Sequence, residues 1–467
     1  MSRVLGAARS PGEHLPHRPT VHLAALPLLG LLLVGAPLQA QSSQAPRSGS
    51  ERLSIHALPV TVPPVIDGRL DEAVWQDAPV ADGFIQNAPV EGRSASERTE
   101  VRLLQDGEAL YIGAWLWDSN PSAILAGESR RDASLSETDA FLVILDTFLD
   151  GQNGFVFGTT PAGIEYDGQV TREGQGGGGG ERMQRGSGGG FNLNWDGNWT
   201  VATSRDDRGW YAEFRIPFST LRYDRGGDQS WGINFARNLR RNNEEAFWSP
   251  IPRQFDLYRV SMAGLLEGVD APFRRTVAVT PYLLSSGQRD YQLQSQAEYH
   301  AEVGGDAKVG MGPNLTLDLT VNTDFAQVEV DEEQVNLTRF SLFFPEKRPF
   351  FLENAGTFSV GSGQAVELFF SRRIGIERGR EVPIVGGGRL TGRVAGNVVG
   401  LMSVQSGELE LADPVTGLPQ RWAPANNFSV ARVVRELPNR SRVGAIAVSR
   451  LNTSDTDDYN LTYGVDW

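Results

Sequence analysis

The chain has no cysteine, and that absence removes three chemistries at once. A disulfide framework, a thiolate metal site and a lipid-anchored cysteine are all excluded. Histidine is scarce as well. His14, His17 and His22 lie within the first 40 residues, which leaves His56 and His300 far apart in the sequence. A Ser-His-Asp triad would have to use one of these two poorly placed histidines, and a histidine-rich zinc site is not expected. Past residue 40 no uninterrupted apolar run reaches the roughly 18 residues of a membrane helix, so any membrane span has to be a strand. Basic stripes are missing too. Residues 1–40 hold three Arg and Glu13, and the remainder carries 40 basic against 56 acidic residues, a net charge of −16. Nucleic acid is not an expected partner.

What is present begins with Arg3, Arg9 and Arg18 ahead of an apolar run, Leu23 to Val34, broken by Pro27 and Gly30. Small residues follow, and Ala40 is placed for cleavage before Gln41. Residues 1–40 read as a secretory signal peptide; a membrane anchor is the alternative, disfavoured by the Pro and Gly interruptions. Residues 41–52 form a polar linker with nothing to bury.

Residues 53–268 have globular composition and hold eight of the ten tryptophans: Trp75, Trp115, Trp117, Trp195, Trp199, Trp210, Trp231 and Trp248. Short runs such as Val101–Leu104, Leu110–Trp117, Phe141–Leu145, Trp210–Ile216 and Gly232–Arg237, punctuated by Asp, Gly and Pro, predict a β-sandwich. Asp67-Gly68 predicts a tight turn. Asp71 to Trp75 predicts a helical turn that carries an indole into the core. Gly174 to Gly190 contains ten glycines in 17 residues. A phosphate cradle would need a helix and a Lys-Ser/Thr at its end; this run leads into Phe191 and Asn192 and reads as a surface insertion.

From about residue 275 to 467 the pattern changes. In Tyr291–Val303, in Leu315–Asn322 and in Tyr459–Trp467, apolar and polar residues alternate at every step. Asn397–Ser406, Phe428–Arg435 and Val443–Arg450 are further strands of a region that accommodates about ten. Successive side chains of a strand face opposite ways, so each of these segments has an oily and a watery side. Both a transmembrane β-barrel and a soluble antiparallel sheet satisfy that alternation. Because the chain ends inside a strand at Trp467, a barrel formed here is expected to be incomplete.

Two resemblances bear on this division. IDGRLDEAVW (Ile66 to Trp75), ALYIGAWLWDSNP (Ala109 to Pro121), TDAFLVILD (Thr138 to Asp146) and WYAEFRIPFSTL (Trp210 to Leu221) occur in family order, and the region they span resembles a family 9 carbohydrate-binding module. That resemblance implies a non-catalytic β-sandwich that binds sugars, in some members with structural calcium. Asp318 to Phe358, LFFSRRIG (Leu368 to Gly375) and PIVGGGRLTG (Pro383 to Gly392) resemble an uncharacterised outer-membrane barrel family that often follows such a domain. Within it, Glu346, Lys347, Arg348, Glu353, Arg372 and Arg373 stand beside Phe343, Phe344, Phe350 and Phe351. These residues could fill a barrel lumen, form a plug or loop against the upstream domain, or only shape a pore through ion pairs.

The family's sugar clamp uses two tryptophans, and this chain departs from it. RRDASLSE before Thr138 has no aromatic, the loop Pro250 to Phe255 offers Phe255 with Trp248 nearby, and Leu142 and Val156 stand where polar ligand contacts are implied. An alternative platform is Tyr111, Trp115 and Trp117, which share one face of a strand; packing of both faces is the competing reading. Carboxylates are too numerous to assign a catalyst: Asp139, Asp146, Glu165, Asp167 and Glu213 are all available, and Glu213 is expected at a sandwich edge. Calcium, if held, would use Asp67, Asp71 or Asp118 with backbone carbonyls. The expected architecture is all-β: an N-terminal β-sandwich followed by an antiparallel transmembrane β-barrel. The expected role is capture or uptake of an oligo- or polysaccharide at the outer membrane, with lipid as the second partner. A channel with a docking sandwich and a glycoside hydrolase are the alternatives.

Overall fold

The computed structural model describes residues 52–127, 129–174, 190–223, 229–272, 277–288, 298–311, 314–323, 346, 348–352, 354–360, 368–377, 380–412, 418–437 and 441–467. The signal peptide, linker residues 41–51, glycine-rich residues 175–189, the strand stretch 291–297, the motif stretch 324–345, Lys347 and Glu353 lie outside the described residues.

Two sheets face each other in the first part of the chain. In one, Ala140–Asp146 runs between Gln229–Leu239 and Gly154–Thr159, and the sheet continues through Tyr166–Gly174 to Gly190–Asn192. In the other, Ala109–Trp117 lies between Thr99–Gln105 and Gly209–Pro217. Alternation assigns the facing side chains. Leu110, Ile112, Ala114 and Leu116 meet Phe141, Val143 and Leu145 across the gap, joined by Phe214, Ile233 and Phe235, and all are fully buried. Burying each such Leu, Ile or Phe contributes about 1.5–3 kcal/mol. Phe141 and Phe214 meet across the two sheets at 5.9 Å. This is the expected sandwich.

Both outer faces are also covered. Tyr111 and Trp115, opposite the aliphatic face of Ala109–Trp117, pack under Leu70, Trp75 and Ala78. Trp75 enters on the short helix Val74–Asp77 and is fully buried. Gly113 makes room for it: a Cβ there would stand 2.7 Å from the Leu70 side chain and 3.0 Å from the Trp75 ring. On the other sheet, Leu142, Ile144, Val156 and Phe191 lie under Ile251, Leu257 and Val260.

Eight antiparallel strands form a third sheet in the order Val277–Gln288, Glu298–Gly310, Leu315–Val321, Ile384–Val394, Asn397–Ser406, Asn426–Leu437, Ser441–Asn452 and Tyr459–Asp466. Two hairpins, Ile376–Glu377 with Arg380–Glu381 and Leu409–Ala412 with Pro419–Ala423, stand apart from it. Among the described residues no pairing joins its first strand to its last.

Its burial is inverted relative to a soluble sheet. Leu283 is 74% exposed, Leu461 49% and Tyr463 55%, while Thr316, Asp318, Thr320, Arg389, Thr391, Arg432 and Asp466 are buried. Cross-strand ion pairs satisfy the inner charges, Arg389 with Asp318 at 2.9 Å and Arg432 with Asp466 at 2.6 Å. The segment around Phe350, Phe351 and Phe358 packs on the same inner face against Ile384, Met402, Val404, Val430 and Ile446. Arg348 anchors it, pairing with Glu346 at 2.8 Å and donating to the carbonyls of Ile374 and Ser371. The segment also touches the sandwich, where Asn192 donates to the Leu352 carbonyl and Arg172 to that of Ser359.

Candidate binding site

A cavity of about 160 Å³ lies where the sandwich meets the third sheet and its inner segment. The sandwich supplies two pieces of its wall. The first is the turn after Ala140–Asp146, which two carboxylates shape. Asp146 accepts from the amides of Asp150 (3.1 Å) and Gly151 (2.7 Å), and Asp150 accepts from those of Gln152 and Asn153 (2.7 and 2.8 Å). Such self-bonding Asp turns tolerate left-handed backbone, and Leu149 and Gly151 have φ of 50° and 66°. Burial, then the nearby charge of Asp150, pushes the Asp146 carboxyl up to about 7. The turn presents Phe148, Gln152 and Asn153 to the cavity.

The second piece is the end of Tyr166–Gly174. Arg172 and Glu173 both have positive φ, 54° and 55°, a conformation that costs about 1–3 kcal/mol per non-glycine residue and collects at functional sites. Glu173 is tied back by Arg259 at 3.0 Å. Arg172 points into the junction and donates to the Ser359 carbonyl at 2.8 Å. Burial, then repulsion from Arg442, lowers its pKa to about 10.

The far wall comes from the third sheet and the inner segment, with Asn354, Thr391, Arg393, Arg432, Glu436 and Arg442. The parts are bonded to each other. Asn192 donates to the Leu352 carbonyl at 3.0 Å, and the Asn354 amide donates to Gln169 at 3.3 Å. Arg393 pairs with Asp150 and with Glu436 and lies 4.7 Å over the Phe148 ring. Amide, hydroxyl and guanidinium donors thus converge on a small, partly open space, which suits an oxygen-rich polar ligand.

None of the site residues expected from the sequence lines this cavity. Tyr111 and Trp115 are interior: Trp115 is 9% exposed and meets Trp75 edge-on at 6.1 Å. Trp117 is half-buried between Tyr211 and the guanidinium of Arg208. The aromatic face is therefore a second core and not a stacking platform, because the Leu70–Trp75 segment folds over it. Trp248 is buried against Phe235, and Phe255 is half-buried beneath Arg259. Leu142 and Val156 sit under the return segment, so the chain itself fills the face on which the resemblance places the ligand.

The expected carboxylates have structural partners. Asp139 accepts from the Arg240 amide at 2.7 Å, Asp167 from that of Gly197 at 2.7 Å, and Glu165 pairs with Arg131. Glu213 is not an edge residue. It lies on an interior strand, fully buried, and its Oε2 accepts from the amides of Asp67 and Gly68, both at 3.1 Å. Burial pushes its carboxyl up to about 7. For calcium the residues do not fit. The Asp118 carboxylate is held by the Arg241 guanidinium, Asp67 accepts from the Arg69 amide, and among the described residues no three acidic or histidine side chains are grouped to hold a metal.

Sequence reasoning missed the Asp146–Asn153 turn and Arg172. The dipeptide Asp150-Gly151 was a usable turn signal; nothing local marked Arg172.

Comparison with known proteins divides the chain similarly. Residues 66–247 match the model for carbohydrate family 9 binding domain-like sequences, and residues 272–383 match a domain of unknown function, DUF5916. The first part of the chain is thus similar to family 9 carbohydrate-binding domains. Among solved structures, a family 9 module from Caldicellulosiruptor kristjanssonii in complex with cellotriose shares 16% identity, with 46% of this chain and 93% of that one covered and a TM-score of 0.31. The same module with glucose gives 16%, 46%, 95% and 0.31. A proposed carbohydrate-binding protein from Bacteroides uniformis ATCC 8492 gives 12%, 46%, 99% and 0.36. No curated protein matches the chain.

Proposed function

We propose that this chain is a non-catalytic saccharide-binding protein of the outer membrane. In this reading the third sheet belongs to a β-barrel in lipid, and the sandwich caps it over the chamber that holds the sugar. The chamber carries the reading: a small space rich in amide and guanidinium donors, formed where a domain similar to carbohydrate-binding modules meets the polar face of the third sheet. Support for the membrane comes from the inverted sheet. Apolar side chains such as Leu283 and Val303, 74% and 71% exposed, would be a liability in water and are suited to lipid. Strands of 7 to 13 residues are of the right order for tilted spans. The leader read from residues 1–40 is consistent with export.

The test is a glycan array probed with the full chain refolded in detergent micelles. Binding to at least one saccharide class is expected. Silence across glucans, xylans and peptidoglycan fragments overturns the reading.

A second reading, a channel gated by the sandwich, is favoured by the direct tie of Arg393 to Asp150 and by the inner segment packed on the sheet. Single-channel conductance in planar bilayers that rises when Asp150 is replaced by Ala would favour it over saccharide capture.

A further inference from the structure

The charges around the chamber are unbalanced, and the imbalance narrows the ligand. Arg432 and Arg442 share Asp466, at 2.6 and 3.9 Å. Arg393 has Asp150 and Glu436. Arg172 has no carboxylate within ion-pair distance among the described residues; its bond goes to a neutral carbonyl, that of Ser359. A guanidinium removed from water without a carboxylate in direct contact is costly, and the chain adds to that cost with two positive-φ residues, Arg172 and Glu173, at this point. The lowered pKa of Arg172 reflects the same burial and the repulsion of Arg442 and Arg432, which the attraction of Asp466, already shared by those two arginines, offsets only in part.

Resting on the saccharide reading above, we infer that the chamber takes an acidic saccharide, whose carboxylate or phosphate oxygens are held by Arg172 together with Arg442 and Arg432. A planar guanidinium presents paired donors that match such oxyanions, and one anion between Arg172 and Arg442 would relieve their repulsion. Gln169 lines the same chamber, as do Asn153 and Asn354, whose amides each spend one hydrogen on Asp150 and Thr391 and keep the second for a sugar hydroxyl.

The experiment is titration calorimetry on the full chain in detergent micelles with four probes. These are a uronic-acid oligosaccharide, a sugar phosphate, a neutral oligosaccharide of matched length, and inorganic phosphate as competitor. At least one acidic sugar is expected to bind about tenfold tighter than the neutral one, to weaken as salt rises, and to be displaced by inorganic phosphate. Arg442→Gln should remove most of that preference. Arg172→Lys, which keeps charge but loses the paired geometry, should remove part of it. Equal affinity for acidic and neutral oligosaccharides overturns the charge assignment while saccharide binding stands. No affinity for any saccharide overturns the underlying reading. Preference for acidic sugars that survives both variants, each shown to be folded by its heat-modifiable gel mobility, removes these arginines from the site.

Discussion

Arg393 of the third sheet pairs with Asp150 of the sandwich, residues 243 positions apart, and this ion pair joins the two halves of the molecule alongside the bonds of Asn192, Gln169 and Arg172 to the inner segment. Asp150 is also the residue that shapes its own turn, accepting from the amides of Gln152 and Asn153. The same carboxylate therefore sets the local loop and fixes that loop against the neighbouring sheet. A double-mutant cycle of Arg393→Ala and Asp150→Asn measures the tie. A coupling of about 0.5–3 kcal/mol is expected from urea unfolding, with faster proteolysis between the halves in either single variant. Additive effects would mean that the pair does not join them.

Glu213 makes the sandwich sensitive to pH. Its folded carboxyl titrates at about 7, above the ordinary glutamate value, so between about 4.5 and 7 the folded state binds more protons than the unfolded state. Stability from this group is fully present below pH 4.5 and is lost as pH rises through 7. Glu213→Gln keeps an oxygen to accept from Asp67 and Gly68 and removes the titration. The Tm difference between Glu213→Gln and the natural chain should be more positive at pH 8 than at pH 5. A difference independent of pH would contradict the assignment.

Trp75 and Gly113 act together. Trp75→Ala should cost about 3–5 kcal/mol as a large core truncation. Gly113→Ala, which brings a methyl onto Leu70 and Trp75, should cost about 1–3 kcal/mol. Equilibrium unfolding followed by tryptophan fluorescence measures both. Replacing Trp115 and Trp117 together by Ala is expected to lower stability rather than to alter ligand affinity selectively.

The outward face of the third sheet gives the sharpest contrast between lipid and water. Leu461 is 49% exposed. In a water-soluble protein Leu461→Arg would change stability by no more than about 0.5 kcal/mol. In lipid it should cost about 2–4 kcal/mol near the midplane and less toward either end. Refolding into liposomes, followed by heat-modifiable gel mobility, reads the difference. Unimpaired insertion of the Arg variant would count against a lipid-facing surface.

Much of the strand pattern was legible. Leu110–Trp117, Phe141–Leu145, Trp210–Ile216, Asn397–Ser406 and Phe428–Arg435 all fall within strands, because alternation is written in consecutive residues. Asp67-Gly68 was legible as a turn, and Trp75 as a core indole. The role of Glu213 was not, since its partners stand 145 and 146 positions earlier. Tyr111, Trp115 and Trp117 were correctly placed on one face, yet nothing in their neighbourhood told that Leu70 and Trp75 would cover it.

The sequence by itself determined many of the strands and which side chains oppose each other along them. Those properties reside in a few contiguous residues. Tertiary structure alone decided that both faces of the sandwich sheets are closed, that the third sheet turns its apolar side outward, and that Arg172, Arg393, Arg432 and Arg442 border one cavity. Burial and charge balance arise from groups brought together across hundreds of positions, and no local period encodes that meeting.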